Sequence, residues 1–320
     1  MKRLALLAIL LLSGVVAAQQ FAGLWPEREA VNVAMKVLNT SAPASGDVLF
    51  AQTFAVREGD RLDVDLRAEH VKLRPARGLE ATVTVRGSGP DARRDFERSR
   101  FSAAYRGGVL SVRTDPPRRW REGQSERQVV IEVPIRFSAT VDVGSGSVRV
   151  ERLSGDLTVD TGSGDITVGT ARGRRIRLHT GSGDVTADLL EGDVEAETGS
   201  GNVRVDRAVG ALAADTGSGD VSVGEADVRA FEADMGSGAV TARLVRAAET
   251  EIDTGSGRVR LTLPAATDAD VELRGRPIRV DRALAFSGDV SRREMSGRLG
   301  AGGPEIEVST GSGGITLRAD

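Results

Sequence analysis

From about residue 139 onward, apolar and polar side chains alternate in short runs, and the runs recur at a fixed period around a Gly-Ser-Gly triplet. The first glycine of the triplet is Gly144, Gly162, Gly181, Gly199, Gly217, Gly236, Gly255 and Gly311, at separations of 18, 19, 18, 18, 19, 19 and 56 residues. Four and six residues after it stand Val148/Val150, Ile166/Val168, Val185/Ala187, Val203/Val205, Val221/Val223, Val240/Ala242, Val259/Leu261 and Ile315/Leu317. Five and three residues before it stand Leu157/Val159, Ile176/Leu178, Val194/Ala196, Leu212/Ala214, Phe231/Ala233 and Ile306/Val308, with Thr250/Ile252 the partial exception. A period of two marks a strand with one buried face. Each unit therefore holds two short strands, one entering and one leaving a glycine corner, and a second turn at Gly155, Gly173, Gly192 or Gly210 sends the chain back.

One such unit cannot bury its apolar face alone. Stacking units at the strand spacing of about 4.8 Å pairs each backbone with the coil above and below. Gly and β-branched residues dominate and no 3.6-residue period survives, so helix is a poor competitor. The reading is an all-β chain: a single-stranded parallel β-solenoid, or β-helix, of 18–19 residues per coil. Between Val141 and the C-terminus there is room for roughly nine or ten coils, on the order of 45 Å of stack, if the gap of 56 is three further units. Glycine suits the corners because it reaches positive φ and lets stacked backbones approach closely.

The N-terminal third lacks this code. Residues 26–38 read as a short helix or a linker, and 41–46 as linker. Strand-like runs follow at Leu62–Leu66, Val71–Leu73, Ala81–Val85, Val109–Val112 and Val129–Ile135, expected to form degenerate coils or a small sheet that caps the solenoid and protects its terminal coil. A further triplet, Gly87-Ser88-Gly89, lacks the flanking apolar positions and is not counted as a corner. Ahead of this, Lys2-Arg3, the apolar run from Leu4 to Leu12 and the small residues ending Val16-Ala17-Ala18 follow the order of a secretory signal peptide, with cleavage expected after Ala18. The organisation is then 1–18 signal peptide, 19–46 linker or short helix, 47–140 cap and 141–320 repeat solenoid. The expected location is outside the cytoplasm: periplasmic, cell-surface or secreted.

Composition narrows the chemistry. The formal charge of −3 becomes −5 once Lys2 and Arg3 are removed (−3 − 2), with no basic patch, which argues against nucleic acid as a partner. There is no cysteine, hence no disulfide, thiolate metal site or thiol nucleophile. With aromatics at 3 %, the core must be aliphatic and thin. No later stretch is long and apolar enough to cross a bilayer.

The β-rich lead-in, Val133-Pro134-Ile135, the repeated Thr-Gly-Ser-Gly-Asp-Val and the closing stretch from Ser309 to Leu317 resemble a family of bacterial proteins called "putative adhesin", a domain of unknown function (DUF4097), over about residues 47–320. The resemblance implies a right-handed parallel β-solenoid and brings no catalytic residues with it. Between Leu263 and Pro304 the triplet is lost, with an echo at Val271 and Gly275, so a bulge or insertion is expected there.

Stacking turns sequence columns into ladders. Two residues before each first glycine stand Asp142, Asp160, His179, Glu197, Asp215, Asp234 and Asp253, and three after it stand Asp165, Asp184, Asn202 and Asp220, broken by Ala239, Arg258 and Gly314. Both columns should point outward. Like charges about 4.8 Å apart repel by roughly 1 kcal/mol even in water, which raises a cation-binding hypothesis. The calcium-binding G-G-x-G-x-D nonapeptide is not reproduced, and a solvated acidic face softened by Arg149, Arg204 and Arg243 is the plainer reading. No metal and no cofactor is expected. Thr161, Thr180, Thr198, Thr216, Thr254 and Thr310 form a third ladder, interrupted by Val143 and Met235, whose hydroxyls could bond along the stack or face a glycan or ice.

Catalysis is not expected. Only His70 and His179 exist, no G-x-S-x-G surrounds the triplet serine, and the units carry no loops to build a cleft. The most distinctive surface segment is Arg118-Arg119-Trp120-Arg121, where stacking and charge could hold an anionic glycan or phosphate. The leading reading is a non-enzymatic structural or adhesive surface whose partner is a cell-surface glycan or envelope protein. A stress-sensing partner-binding module, reached by strand addition at an open end, is the alternative, and a carbohydrate-active β-helix enzyme a more distant one.

Overall fold

The structure, a computed structural model, describes residues 46–116 and 125–320. The expected signal peptide, the segment 26–38 and Arg118, Arg119, Trp120 and Arg121 lie outside the described residues.

The repeats stack as parallel strands in register. Leu157–Ser163 pairs with Ser138–Ser145 on one side and with Ile166–Ser182 on the other. The next strands, Val185–Ser200, Val203–Ser218 and Val221–Ser237, follow one another in sequence order. Leu157 meets Ile176, Ile176 meets Val194, and Val194 meets Leu212, so each sequence column becomes a physical one. The columns before and after the corner are buried, and they form one continuous aliphatic core. A third inward column, Leu153, Ala171, Leu190, Ala208, Ala226 and Leu244, follows the first corner glycine by eight or nine positions. It escaped the two-strand pattern because Ala is too small to mark a strand by itself. Large and small members nonetheless share the column's space.

The triplet owes its glycines chiefly to close approach. A Cβ on Gly181 would stand 2.5 Å from the carbonyl oxygen of Gly162 in the coil below, and one on Gly199 2.6 Å from that of Gly181. The same holds for the third glycine of each triplet, where a Cβ would overlap the carbonyl beneath it. The corner is thus a ladder of glycine on glycine, tighter than any side chain permits. Gly87-Ser88-Gly89 is no corner: Glu80–Ser88 runs antiparallel between Asp47–Ala55 and Glu126–Val133.

Spatial order departs from chain order at both ends. Arg61–Leu66 and His70–Pro75 form a coil directly beneath Ser138–Ser145 and Val148–Ser154. Val109–Arg113 and Glu126–Val133 form the next coil outward. The chain thus lays down an inner coil, then an outer one, and returns to the inner one's other side. At the far end Glu249–Ser256 pairs with Glu305–Ser312, Val259–Leu263 with Ile315–Ala319, and Thr254 stands opposite Thr310. The gap of 56 residues is therefore not three coils in series. Its residues make one outer coil, Ala269–Arg274 and Ile278–Val280, which stacks on the far side of the C-terminal strands. They also make an antiparallel hairpin, Phe286–Val290 with Glu294–Leu299. The last segment of the chain is inserted between two coils made earlier.

Helix is marginal: Ala92–Arg98 packs beside Glu80–Ser88, with Phe96 among Phe50 and Phe101. At the first coil, Arg67-Ala68-Glu69 takes the place of the triplet, and Gly144 and Gly146 rest on the carbonyls of Arg67 and Glu69. Glu69 is buried there: its carboxylate accepts from the N–H groups of Arg67 (3.2 Å) and Ala68 (3.1 Å) and from Arg127 Nη2 (2.9 Å).

Candidate functional site

The threonine ladder points inward, and its hydroxyls bond along the stack instead of forming a presented array. Thr161, Thr180, Thr198, Thr216, Thr254 and Thr310 are buried, two positions after an inward residue and so on the same face. Most hydroxyls reach back one coil to the carbonyl of the last corner glycine: Thr161 to Gly146 (3.1 Å), Thr180 to Gly164 (2.9 Å), Thr198 to Gly183 (2.9 Å), Thr216 to Gly201 (3.0 Å) and Thr310 to Gly257 (3.2 Å). This satisfies a carbonyl that the tight corner would otherwise leave buried without a donor. Val143 and Met235 occupy the same column, so apolar bulk fits there. Thr198→Val should therefore fold and lose about 1–3 kcal/mol, the cost of leaving the Gly183 carbonyl buried without its donor, in a denaturation midpoint series.

The aspartate that follows the triplet is also structural. Each carboxylate or amide oxygen accepts the backbone N–H of its successor one coil on: Asp165 from Asp184 (3.0 Å), Asp184 from Asn202 (2.8 Å), Asn202 from Asp220 (2.9 Å) and Asp220 from Ala239 (2.8 Å). Asparagine serves as well as aspartate because only an acceptor is needed.

The remaining ladder is the exposed acidic one. Asp142 stands opposite Asp160, Asp160 opposite His179, His179 opposite Glu197, Glu197 opposite Asp215, and Asp234 opposite Asp253. The outward column two positions earlier adds Glu195, Glu232, Glu251 and Glu307. Arg177 bridges Glu195 at 2.8 Å and His179 approaches Asp160 at 3.2 Å. Among the described residues Asp142, Glu197, Asp215, Asp234 and Asp253 have no cationic partner. The arginines expected to soften this face do not reach it: Arg204 pairs with Asp206 and Arg243 with Glu225 and Asp320. Among the described residues no group of three or more His, Asp or Glu side chains is arranged to hold a metal ion.

This face is not free of desolvation, as a flat solvated sheet would be. Burial, reinforced by the charges of Asp160 and Asp65, pushes the Asp142 carboxyl above its ordinary range. Burial does the same to Asp215, helped by Glu232, Asp234 and Glu197, although the N–H of Asp234 opposes it. A carboxyl whose folded pKa is raised binds its proton more tightly in the folded state, so its contribution to stability falls as pH rises from the unfolded value through the folded one. Asp215→Asn keeps an acceptor for the Asp234 N–H (3.2 Å) and removes the charge. It should raise the melting temperature at neutral pH, and the gain should vanish as the pH drops below the range where carboxylates ionise.

The ends are covered by antiparallel strands: Asp47–Ala55 and Ser102–Arg106 at one, the hairpin Phe286–Val290 with Glu294–Leu299 at the other. Among the described residues no helix is long and apolar enough to cross a membrane.

The family model Toastrack DUF4097 matches twice in tandem, over residues 60–191 and 190–315. The chain belongs to this family. Solved structures resemble it at low identity. A "putative adhesin" from Bacteroides fragilis is 13 % identical, with 86 % of this chain and 98 % of that one covered and a TM-score of 0.43. A "putative lipid binding protein" from Parabacteroides distasonis is 12 % identical, with 83 % and 95 % covered and a TM-score of 0.39. A "putative cell adhesion protein" from Clostridium sporogenes is 11 % identical, with 84 % and 99 % covered and a TM-score of 0.23. No curated protein matches the chain. The boundary between the two Toastrack matches falls inside the regular stack, at the turn near Gly192, where no structural break occurs.

Proposed function

We propose that the chain is an exported, non-catalytic binding surface of the cell envelope or its exterior, and that its acidic sheet face meets the partner. The observation that carries this is the ladder of Glu197, Asp215, Asp234 and Asp253, exposed or half-exposed and without a cationic partner among the described residues. Such a column costs stability by burying charge and by self-repulsion, and the carboxyls of Asp142 and Asp215, raised first by burial and then by neighbouring acids, carry both costs. A cationic partner relieves it along the whole face at once. The partner is then an envelope protein or glycan that presents amines or guanidinium groups, held by many weak contacts in place of a pocket.

The test compares the mature chain with a variant carrying Glu197→Gln, Asp215→Asn, Asp234→Asn and Asp253→Asn. Co-sedimentation with envelope fractions should be strong at low salt, weak at high salt, and reduced at least about tenfold in the variant. Equal binding by the variant would remove the acidic face from the function, and turnover in a glycan screen would overturn the non-catalytic reading.

A further inference from the structure

The corner ladder ends in a pocket. In the regular stack the third glycine of each triplet donates its N–H to the corner serine of the next coil: Gly183 to Ser200 (3.2 Å), Gly201 to Ser218 (3.1 Å), Gly257 to Ser312 (3.1 Å). Gly313 is the last of that series. The coil stacked on it replaces the triplet by Gly275-Arg276-Pro277, so no serine carbonyl stands above Gly313, and its N–H has no partner among the described residues. The space left open is a pocket of about 500 Å³, walled by the corner residues Ser312 and Gly313, by Arg274 and Arg276 from the outer coil, and by Arg293 and Glu294 from the hairpin.

The charges in this pocket are unbalanced. Arg274 is taken up by Glu272, by Glu307 at 2.7 Å and by Glu294 at 3.9 Å, which also neutralises the acid in the wall. Arg276 and Arg293 make no ion pair among the described residues, and both are exposed. Two guanidinium groups and an unpaired corner N–H thus share one cavity. The opposite end of the stack shows what such a corner holds: there the carboxylate of Glu69 is bound by two corner N–H groups and by the Arg127 guanidinium. At the Gly313 end the corresponding cationic parts are present, and among the described residues no carboxylate pairs with Arg276 or Arg293.

We infer that the pocket at the end of the corner ladder, formed by Arg276, Arg293 and the Gly313 N–H, binds a phosphate or sulfate ester. Guanidinium groups and backbone N–H donors suit tetrahedral oxyanions. The volume exceeds that of a bare ion and leaves room for a glycerol- or sugar-sized unit bearing it. This site is independent of the acidic face, which would repel the same ligand.

The probes are glycerol 3-phosphate, glycerol as the neutral control, and vesicles with and without phosphatidylglycerol. Glycerol 3-phosphate should shift the Gly313 amide resonance, while glycerol should not. Arg276→Gln with Arg293→Gln should weaken binding about tenfold or more and leave the melting temperature in place, since neither side chain has a partner among the described residues. Independently of any variant, glycerol 3-phosphate should protect Arg276 and Arg293 of the unaltered chain from phenylglyoxal. Vesicle binding that is lost in the double variant identifies a lipid headgroup as the source, and response to the soluble ester alone identifies a soluble or polymer-borne one. An unmoved Gly313 amide, equal affinity of the double variant, or modification of both arginines unaffected by the ester overturns the inference.

Discussion

Gly219→Ala should cost about 3 kcal/mol or more, at the upper end of overpacking effects, while Ser218→Ala one residue away should change stability by less than about 0.5 kcal/mol. The contrast follows from where each side chain would go. A Cβ on Gly219 would overlap the Gly201 carbonyl, a backbone atom fixed by its own pairing with the coils on both sides. Relief requires moving a coil, and moving a coil breaks the threonine bond from Thr216 to Gly201 and the acceptor from Asn202 to Asp220 as well. Ser218 is exposed, and its hydroxyl makes no hydrogen bond among the described residues. Urea titration followed by far-ultraviolet circular dichroism gives the midpoints directly, and these are safer than an extrapolated free energy for a stack whose ends can unfold separately. Equal midpoints for the two variants would show that the corner can relax and that the glycine ladder is not what holds the spacing. Gly217 offers a milder version, with its Cβ position 2.5 Å from the Gly199 carbonyl.

What the amino-acid pattern made legible was whatever repeats locally. The period of the triplet and the alternation around it specify the parallel stack, because register follows from facing apolar positions such as Leu157, Ile176 and Val194. Directions of polar columns were harder. Thr198 lies next to the corner, where alternation continues inward although the residue is polar, and a hydroxyl is small enough to enter a core if a carbonyl receives it. Asp165 and Asn202 look like ligands in sequence and act as backbone acceptors in the stack. The acidic face was legible as a column, but its partial desolvation at Asp142 and Asp215 depends on neighbours in other coils. The pocket beside Gly313 left no local trace at all. Arg276 and Arg293 come together only because the segment 264–304 runs out past the end of the chain and folds back, a topology that spacing cannot reveal.

That topology carries the second large effect. Deleting residues 304–320 removes an interior layer. The strands Glu305–Ser312 and Ile315–Ala319 bury Ile306, Val308, Ile315 and Leu317 between the coil of 249–263 and that of 269–280. The chain end is fastened there twice more, by the Asp320 N–H on the Leu263 carbonyl (2.8 Å) and by the Asp320 pair with Arg243. At roughly 1.5 kcal/mol or more for each buried aliphatic side chain, the loss should be on the order of 5 kcal/mol. Its reach distinguishes this fold from a solenoid built in chain order, where cutting the last coil only moves the end inward by one layer. Here the outer coil has the removed strands as its parallel partner, so amide exchange in 269–299 should accelerate along with that in 249–263. The alternative is that Val271 and Leu273 slide down to occupy the places of Ile306 and Val308 above Thr250 and Ile252. Protection of 269–274 in the truncated chain at the level of the intact one would establish that slide and show that the insertion is dispensable. The intact fold also closes contacts of unequal range, since Ile306 meets Val271 at 35 residues' separation (306 − 271) and Thr250 at 56 (306 − 250), against 18 or 19 in the regular stack. Loop-closure entropy makes these the last contacts to form. In refolding from urea the C-terminal layer should accordingly gain exchange protection after the central coils, and the truncated chain should lack that late phase.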